Sequence, residues 1–165
     1  MKTIVKLIIT FCLLSNLFSQ EKGNGFGFTF NSGNSMMNMM MTGGSFSPAV
    51  YYIYNLSNGK RIEPSLGYFS TSIEEASSSA TTFGVGYLAD KIQSDNFVTY
   101  WGGRFSMTTF SEDVESSMSI SPVCGAEYSF SDNFSVGGET RFNYTLNDAV
   151  DIMDISSHLF FRFYK

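Results

Sequence analysis

The chain has 165 residues, one domain's worth of material, and only 15 % of them are charged, against about 25 % in an average soluble domain. Aromatic residues make up 16 %, so the composition suits a protein whose outer surface need not face water. The formal net charge of −5 argues against a nucleic-acid partner, which needs a basic face to neutralise phosphates.

The N-terminus reads as an export signal. Lys2 and Lys6 form a basic start, Leu7 to Phe18 an apolar core, and Ser19 and Gln20 a cleavage site. The apolar run is too short for a membrane helix, which needs about 20 residues. Residues 1–19 are therefore assigned as a signal peptide and residues 20–165 as the folded domain. Cys12 lies inside the apolar core rather than after it, which argues against a lipid anchor. Cleavage leaves Cys124 alone, read as a small apolar strand residue. It also removes Lys2 and Lys6, which brings the net charge to −7.

From there the sequence alternates with period two, the signature of strands. Strand one carries Phe26, Phe28 and Phe30, and strand two Phe46, Pro48, Val50, Tyr52 and Tyr54, with a turn from Asn55 to Gly59. Strand three sets Ile62, Pro64, Leu66 and Tyr68 against Glu63, Ser65 and Gly67. Strand four sets Phe83, Val85 and Tyr87 against Gly84 and Gly86. Strand five runs Phe97 to Met107, with Trp101 on one face and Tyr100 and Arg104 on the other. Strand six runs Met118 to Phe130, with Glu127 opposite its apolar row. Ser131, Asp132 and Asn133 turn into strand seven, where Glu139 and Arg141 oppose Phe142 and Tyr144. Strand eight sets Leu159, Phe161 and Phe163 against His158, Phe160 and Arg162.

Eight strands joined by alternately longer and shorter links give an all-β, eight-stranded antiparallel up-and-down transmembrane β-barrel. A closed barrel is the only strand architecture that can cross a bilayer. Pro48, Pro64 and Pro122 conflict with continuous ladders and are expected at strand ends or bulges.

Charge parity decides which face points inward. Glu63, Arg104, Glu127, Glu139, Arg141 and Arg162 all lie opposite the aromatic rows, so three carboxylates and three guanidiniums can neutralise one another in a narrow lumen. In a soluble carrier the faces would be reversed, leaving an exterior of Ser and Gly with few charges. Links at 70–80, 110–117 and 146–154 carry Glu74, Glu75, Glu112, Asp113, Glu115, Asp148, Asp151 and Asp154 and are read as outward-facing. Short turns holding Lys60, Arg61 and Lys91 beside Asp90, Asp95 and Asp132 are read as periplasmic.

The strand Arg61-Ile62-Glu63-Pro64-Ser65-Leu66-Gly67-Tyr68 and the hairpin from Glu127 through Ser131-Asp132-Asn133-Phe134 to Glu139 resemble the compact outer-membrane β-barrel domain family. That family is related in architecture to OmpX and the OmpA membrane domain. The closing segment Leu159-Phe160-Phe161-Arg162-Phe163-Tyr164 is similar to the signal read by the barrel insertion machinery, with Lys165 a small departure. The resemblance implies a monomer in the bacterial outer membrane among lipid and lipopolysaccharide, and it leaves activity open.

Met36, Met37, Met39, Met40 and Met41 sit in the first outward link, where they form either an apolar interaction loop or a thioether site for Cu(I). The acidic links lack calcium-loop spacing, so no metal and no cofactor is assigned. His158 with Ser156, Ser157 and Glu139 invites a Ser-His-acid reading, but nothing resembles a nucleophile elbow. Gly23 to Gly27 opens a strand, not a helix, so it is no phosphate loop. The leading expectation is a non-enzymatic integral outer-membrane protein acting in envelope structure or through its loops. A narrow gated pore for ions or protons and a lipid-modifying enzyme are the alternatives.

Overall fold

The structure is a computed structural model that describes residues 23–31, 47–56, 59–73, 76–111, 116–146 and 151–165. The signal segment, Phe46, the five methionines of the first link, Glu74, Glu75, Glu112, Asp113, Glu115 and Asp148 lie outside the described residues.

Eight antiparallel strands close into a single barrel. They are β1 (Gly25–Asn31), β2 (Ser47–Leu56), β3 (Lys60–Ile73), β4 (Ala76–Ser94), β5 (Phe97–Phe110), β6 (Ser117–Ser131), β7 (Phe134–Leu146) and β8 (Ile152–Tyr164). Each strand pairs with its chain neighbour, and β8 returns to β1, from Gly25 opposite Tyr164 to Asn31 opposite His158. Closure leaves no open sheet edge, which is the condition for placing strands in hydrocarbon.

One end of the barrel is made by tight turns. Gly59 takes φ 65°, a left-handed conformation that a side chain rarely adopts, and the Asp90 amide donates to its carbonyl at 2.7 Å. At the same end the Ser129 amide donates to Asn96 O, and the Tyr164 amide to Asn133 O. Register shifts fall beside these turns, between Ile92 and Ser94 and between Ser129 and Ser131. Bulges there let short turns join strands that are still twisting.

Three sequence expectations need correction. Residues 70–80 are not a long link, because β3 continues to Ile73 and β4 starts at Ala76. Lys60, Arg61, Asp90 and Lys91 belong to strands rather than turns, since β3 starts at Lys60 and β4 extends to Ser94. Polar residues in strands that project beyond a membrane need not break the strand, so polarity gave a false boundary. Asp154 likewise lies within β8, opposite Asn143.

The prolines resolve unequally. Pro48 is the second residue of β2, near a strand end as expected. Pro64 and Pro122 sit inside β3 and β6. The β2–β3 ladder passes from Tyr51↔Ser65 to Tyr54↔Ile62, and the β6–β7 ladder from Ile120↔Tyr144 to Val123↔Arg141, with no pair at either proline and no register shift. Each proline keeps its pairing on the other side, with Val85 and Gly103. A missing N–H thus interrupts one ladder locally and leaves the opposite ladder whole.

The two faces differ as charge parity predicts. Outward residues are large and exposed, among them Phe83, Val85, Tyr87, Ile120, Phe142 and Trp101, the last 68 % exposed. Near the tight-turn end an outer cluster forms: Phe163 stacks on Phe26 at 5.2 Å and contacts Phe134 at 5.1 Å, while Tyr128 meets Phe130 edge-on at 5.1 Å. Inside, Tyr51, Ile53, Leu88, Tyr100, Val123 and Phe160 form the apolar part of the core. Glycines make room for these rings. A Cβ at Gly137 would lie 2.2 Å from both Ala126 O and the Phe160 ring. Gly137→Ala should therefore overpack the lumen and cost about 1–3 kcal/mol, read as a lower urea midpoint of the folded protein in lipid vesicles.

Candidate functional site

The lumen is closed by an ion-pair lattice whose members come from six strands. Arg162 on β8 and Glu63 on β3 are both completely buried, with Arg162 Nη2 donating to Glu63 Oε1 at 2.8 Å. The same carboxylate accepts from Arg104 Nη2 at 2.7 Å and lies 2.9 Å from Arg61 Nε. Glu127 on β6 pairs with Arg162 Nη1 and, at 3.5 Å, with Arg61 Nη1. It also accepts from the hydroxyls of Ser135 and Tyr164. Glu139 on β7 accepts from Arg104 Nε and Nη2, both at 2.8 Å, from Arg141 Nε at 2.6 Å and from Tyr100 at 3.0 Å.

Aromatic faces complete the enclosure. The Arg162 guanidinium carbon lies 4.0 Å from the Phe160 ring centre and 5.2 Å from that of Tyr100, while that of Arg61 lies 4.5 Å from Tyr100. Such stacking offsets part of the desolvation of a buried cation. The geometry is that of a plug, in which Glu63, Glu127 and Glu139 are each bridged by at least two cations and the gaps are filled by rings.

All six charges singled out from the sequence, Glu63, Arg104, Glu127, Glu139, Arg141 and Arg162, point into the lumen and meet one another. Two further members were missed. Arg61 is 3 % exposed and bridges Glu63, Glu127 and Asp90, the last at 3.1 Å. Its parity with Glu63 carried the signal, but the neighbouring turn masked it. The apolar lumen residues Ile53 and Leu88 had no such signal, because each lies in a stretch that is apolar on both faces.

The structure also places the Ser-His-acid candidates. Ser156 Oγ and His158 Nε2 are 2.9 Å apart, and Ser156 accepts from Asn143 Nδ2, whose carbonyl accepts from Ser121. Ser157 is on the opposite, exposed face. Glu139 stands opposite His158 in the ladder, but His158 Nδ1 has no hydrogen-bond partner among the described residues. Among the described residues, therefore, no third group orients the imidazole as a catalytic triad requires. Among the described residues no group of three or more His, Cys, Asp or Glu could hold a metal ion, and Cys124 is exposed on the outer face.

Comparison with solved structures decides the architecture. Neisserial surface protein A superposes with a TM-score of 0.56 at 16 % identity, covering 86 % of this chain and 93 % of that one. The fold is that of a small outer-membrane β-barrel. A second protein with this barrel fold, the N-terminal β-barrel domain of Pseudomonas aeruginosa OprF, also gives a TM-score of 0.56, at 12 % identity over 88 % of this chain and all of that one. No family model matches the sequence, and no curated protein does either. At these identities the small-barrel likeness concerns the fold alone.

Proposed function

We propose that this chain is a non-enzymatic integral protein of the bacterial outer membrane whose sealed barrel serves envelope structure and presents its links for surface interaction. The observation that carries this reading is the pairing of an exposed aromatic exterior with a lumen filled by neutralised charge. Nonpolar surface of that extent on a closed barrel needs lipid around it, and girdles of Tyr, Trp and Phe suit the interfaces. Export through the signal segment and assembly by the barrel insertion machinery belong to the same reading.

A pore is disfavoured by the completely buried Arg162 and Glu63 at the barrel's centre, since eight strands leave an interior about wide enough for side chains to fill. The folded protein in planar bilayers should give no conductance steps above the lipid baseline. The wider reading is tested by electrophoresis of outer-membrane fractions. A band that moves differently unheated and boiled is expected, whereas a periplasmic protein without the shift would refute it.

A further inference from the structure

Charge on the strands is sorted by face. Among the described residues of the eight strands, every charged side chain but two shares the parity of the lumen. The two are Lys60, at the start of β3, and Lys91, near the end of β4. Lys60 lies opposite Ala89, so Lys91, two positions further along β4, is its diagonal neighbour on the outer face, about 7–8 Å away. Both are exposed, and neither ammonium pairs with a carboxylate among the described residues. Their chain neighbours Arg61 and Asp90 face inward and pair with each other at 3.1 Å, so Asp90 does not answer the lysines. The residues before Lys60, from Ser57 to Gly59, carry no charge, and Asp95 stands beyond Ser94 at the tip of the β4–β5 hairpin. Two cations thus stand side by side on the outer surface of a chain whose net charge is −5.

Exposed rings border the pair on the side away from the turns. Trp101 lies opposite Ala89 on β5 and is diagonal to Lys91, whose own partner is Thr99. One step further along the strands, Tyr54 and Tyr87 flank Ile62, and Tyr87 stands opposite Gly103. Ala89 and Gly103 are the short residues among these rings. A Cβ at Gly103 would meet nothing nearer than Ser121 O at 4.0 Å, so packing within the protein does not require that position to be bare.

We infer, on the membrane reading proposed above, that this corner holds an anionic glycerophospholipid, its phosphate between Lys60 and Lys91 and an acyl chain over Ala89 against Trp101 and Tyr87. Lysine stems lie along apolar surface and carry their ammonium out to the headgroup level, where indole and phenol rings also settle. A zwitterionic headgroup brings its own cation to the phosphate, whereas an anionic one does not. Two ammoniums without a carboxylate therefore select the anionic lipid. The site belongs to the leaflet at the tight-turn end, whichever side of the membrane that end faces.

The chain has one tryptophan, so the fluorescence of Trp101 reports on the lipid beside it. The full protein is folded into phosphatidylcholine vesicles that contain either brominated phosphatidylglycerol or brominated phosphatidylcholine at the same mole fraction, and quenching of Trp101 by the bromines is measured. Phosphatidylglycerol should be favoured beside Trp101 by at least about fivefold at low salt, the contribution of one lysine near an anionic lipid surface. High salt should shrink that preference. Lys60→Gln combined with Lys91→Gln should abolish it, and Lys60→Arg combined with Lys91→Arg should keep it, each variant being shown folded by its heat-dependent band shift. Equal quenching by the two lipids, or a preference that survives the double glutamine variant, would overturn the site and leave the barrel in its membrane. No quenching by either lipid would overturn the membrane reading itself, and the site with it.

Discussion

Arg162→Ala should destabilise the barrel by about 3–5 kcal/mol, the cost of removing one partner from a buried ion pair. The magnitude follows from what is left behind. Glu63 has no exposure and loses a donor at 2.8 Å, Glu127 loses its strongest cation, and Tyr51 loses the Nε–H that donates to its hydroxyl at 3.0 Å. Arg61 and Arg104 still reach Glu63, so the carboxylate is not wholly abandoned and the barrel should still form. The result would be seen as a lower urea midpoint in vesicles and a lower temperature for the electrophoretic shift. Restoring balance should recover part of the loss: Arg162→Met combined with Glu127→Gln should be more stable than Arg162→Met alone, because it removes one unpaired charge. If Arg162→Ala unfolds at the wild-type midpoint, neither the charge nor the bulk of Arg162 contributes to stability.

Val85→Arg should cost about 2–4 kcal/mol, whereas Ile92→Arg should cost about 0–1, because lipid penalises a cation most at the bilayer midplane and little at the interface. Val85 lies at the middle of β4 and is 44 % exposed, whereas Ile92 is 75 % exposed at the tight-turn end of the same strand. A surface facing water would treat the two arginines alike. Equilibrium folding into vesicles distinguishes these cases, and equal, small costs at both positions would mean that the aromatic face does not meet lipid.

The parity of Glu127, Glu139, Arg141 and Arg162 against their aromatic neighbours was enough to read the fold and the inside of the barrel. Period-two alternation is a local property, and burial of one face makes it strict. What the sequence hid was equally physical. Arg61 and Asp90 looked like turn residues because polar side chains near a turn resemble one another whether they point to water or into a lumen. Once β3 is seen to start at Lys60, parity with Glu63 turns Arg61 inward, and the register sets it opposite Leu88 and Asp90 opposite Tyr100, both inside the lumen. Pro64 and Pro122 looked like strand breakers because the rule considers one ladder, whereas each strand of a barrel has two. Which carboxylate each arginine reaches across the lumen was illegible, since it depends on contacts between strands far apart in the chain.

Chain order also matters to how the molecule comes together. The partners of Arg162 lie far earlier in the sequence, Glu63 by 99 residues and Tyr51 by 111. Glu63 of β3 and Glu127 of β6 are thus made well before the cation that they share, Arg162. In the proposed membrane reading, a chain without β8 would hold Glu63, Asp90, Glu127 and Glu139 against only Arg61, Arg104 and Arg141, leaving an acid unpaired in a low-dielectric interior. The strand that closes the sheet edge is also the one that brings Arg162, so a chain lacking β8 would suffer twice, from an open edge and from an unpaired buried acid.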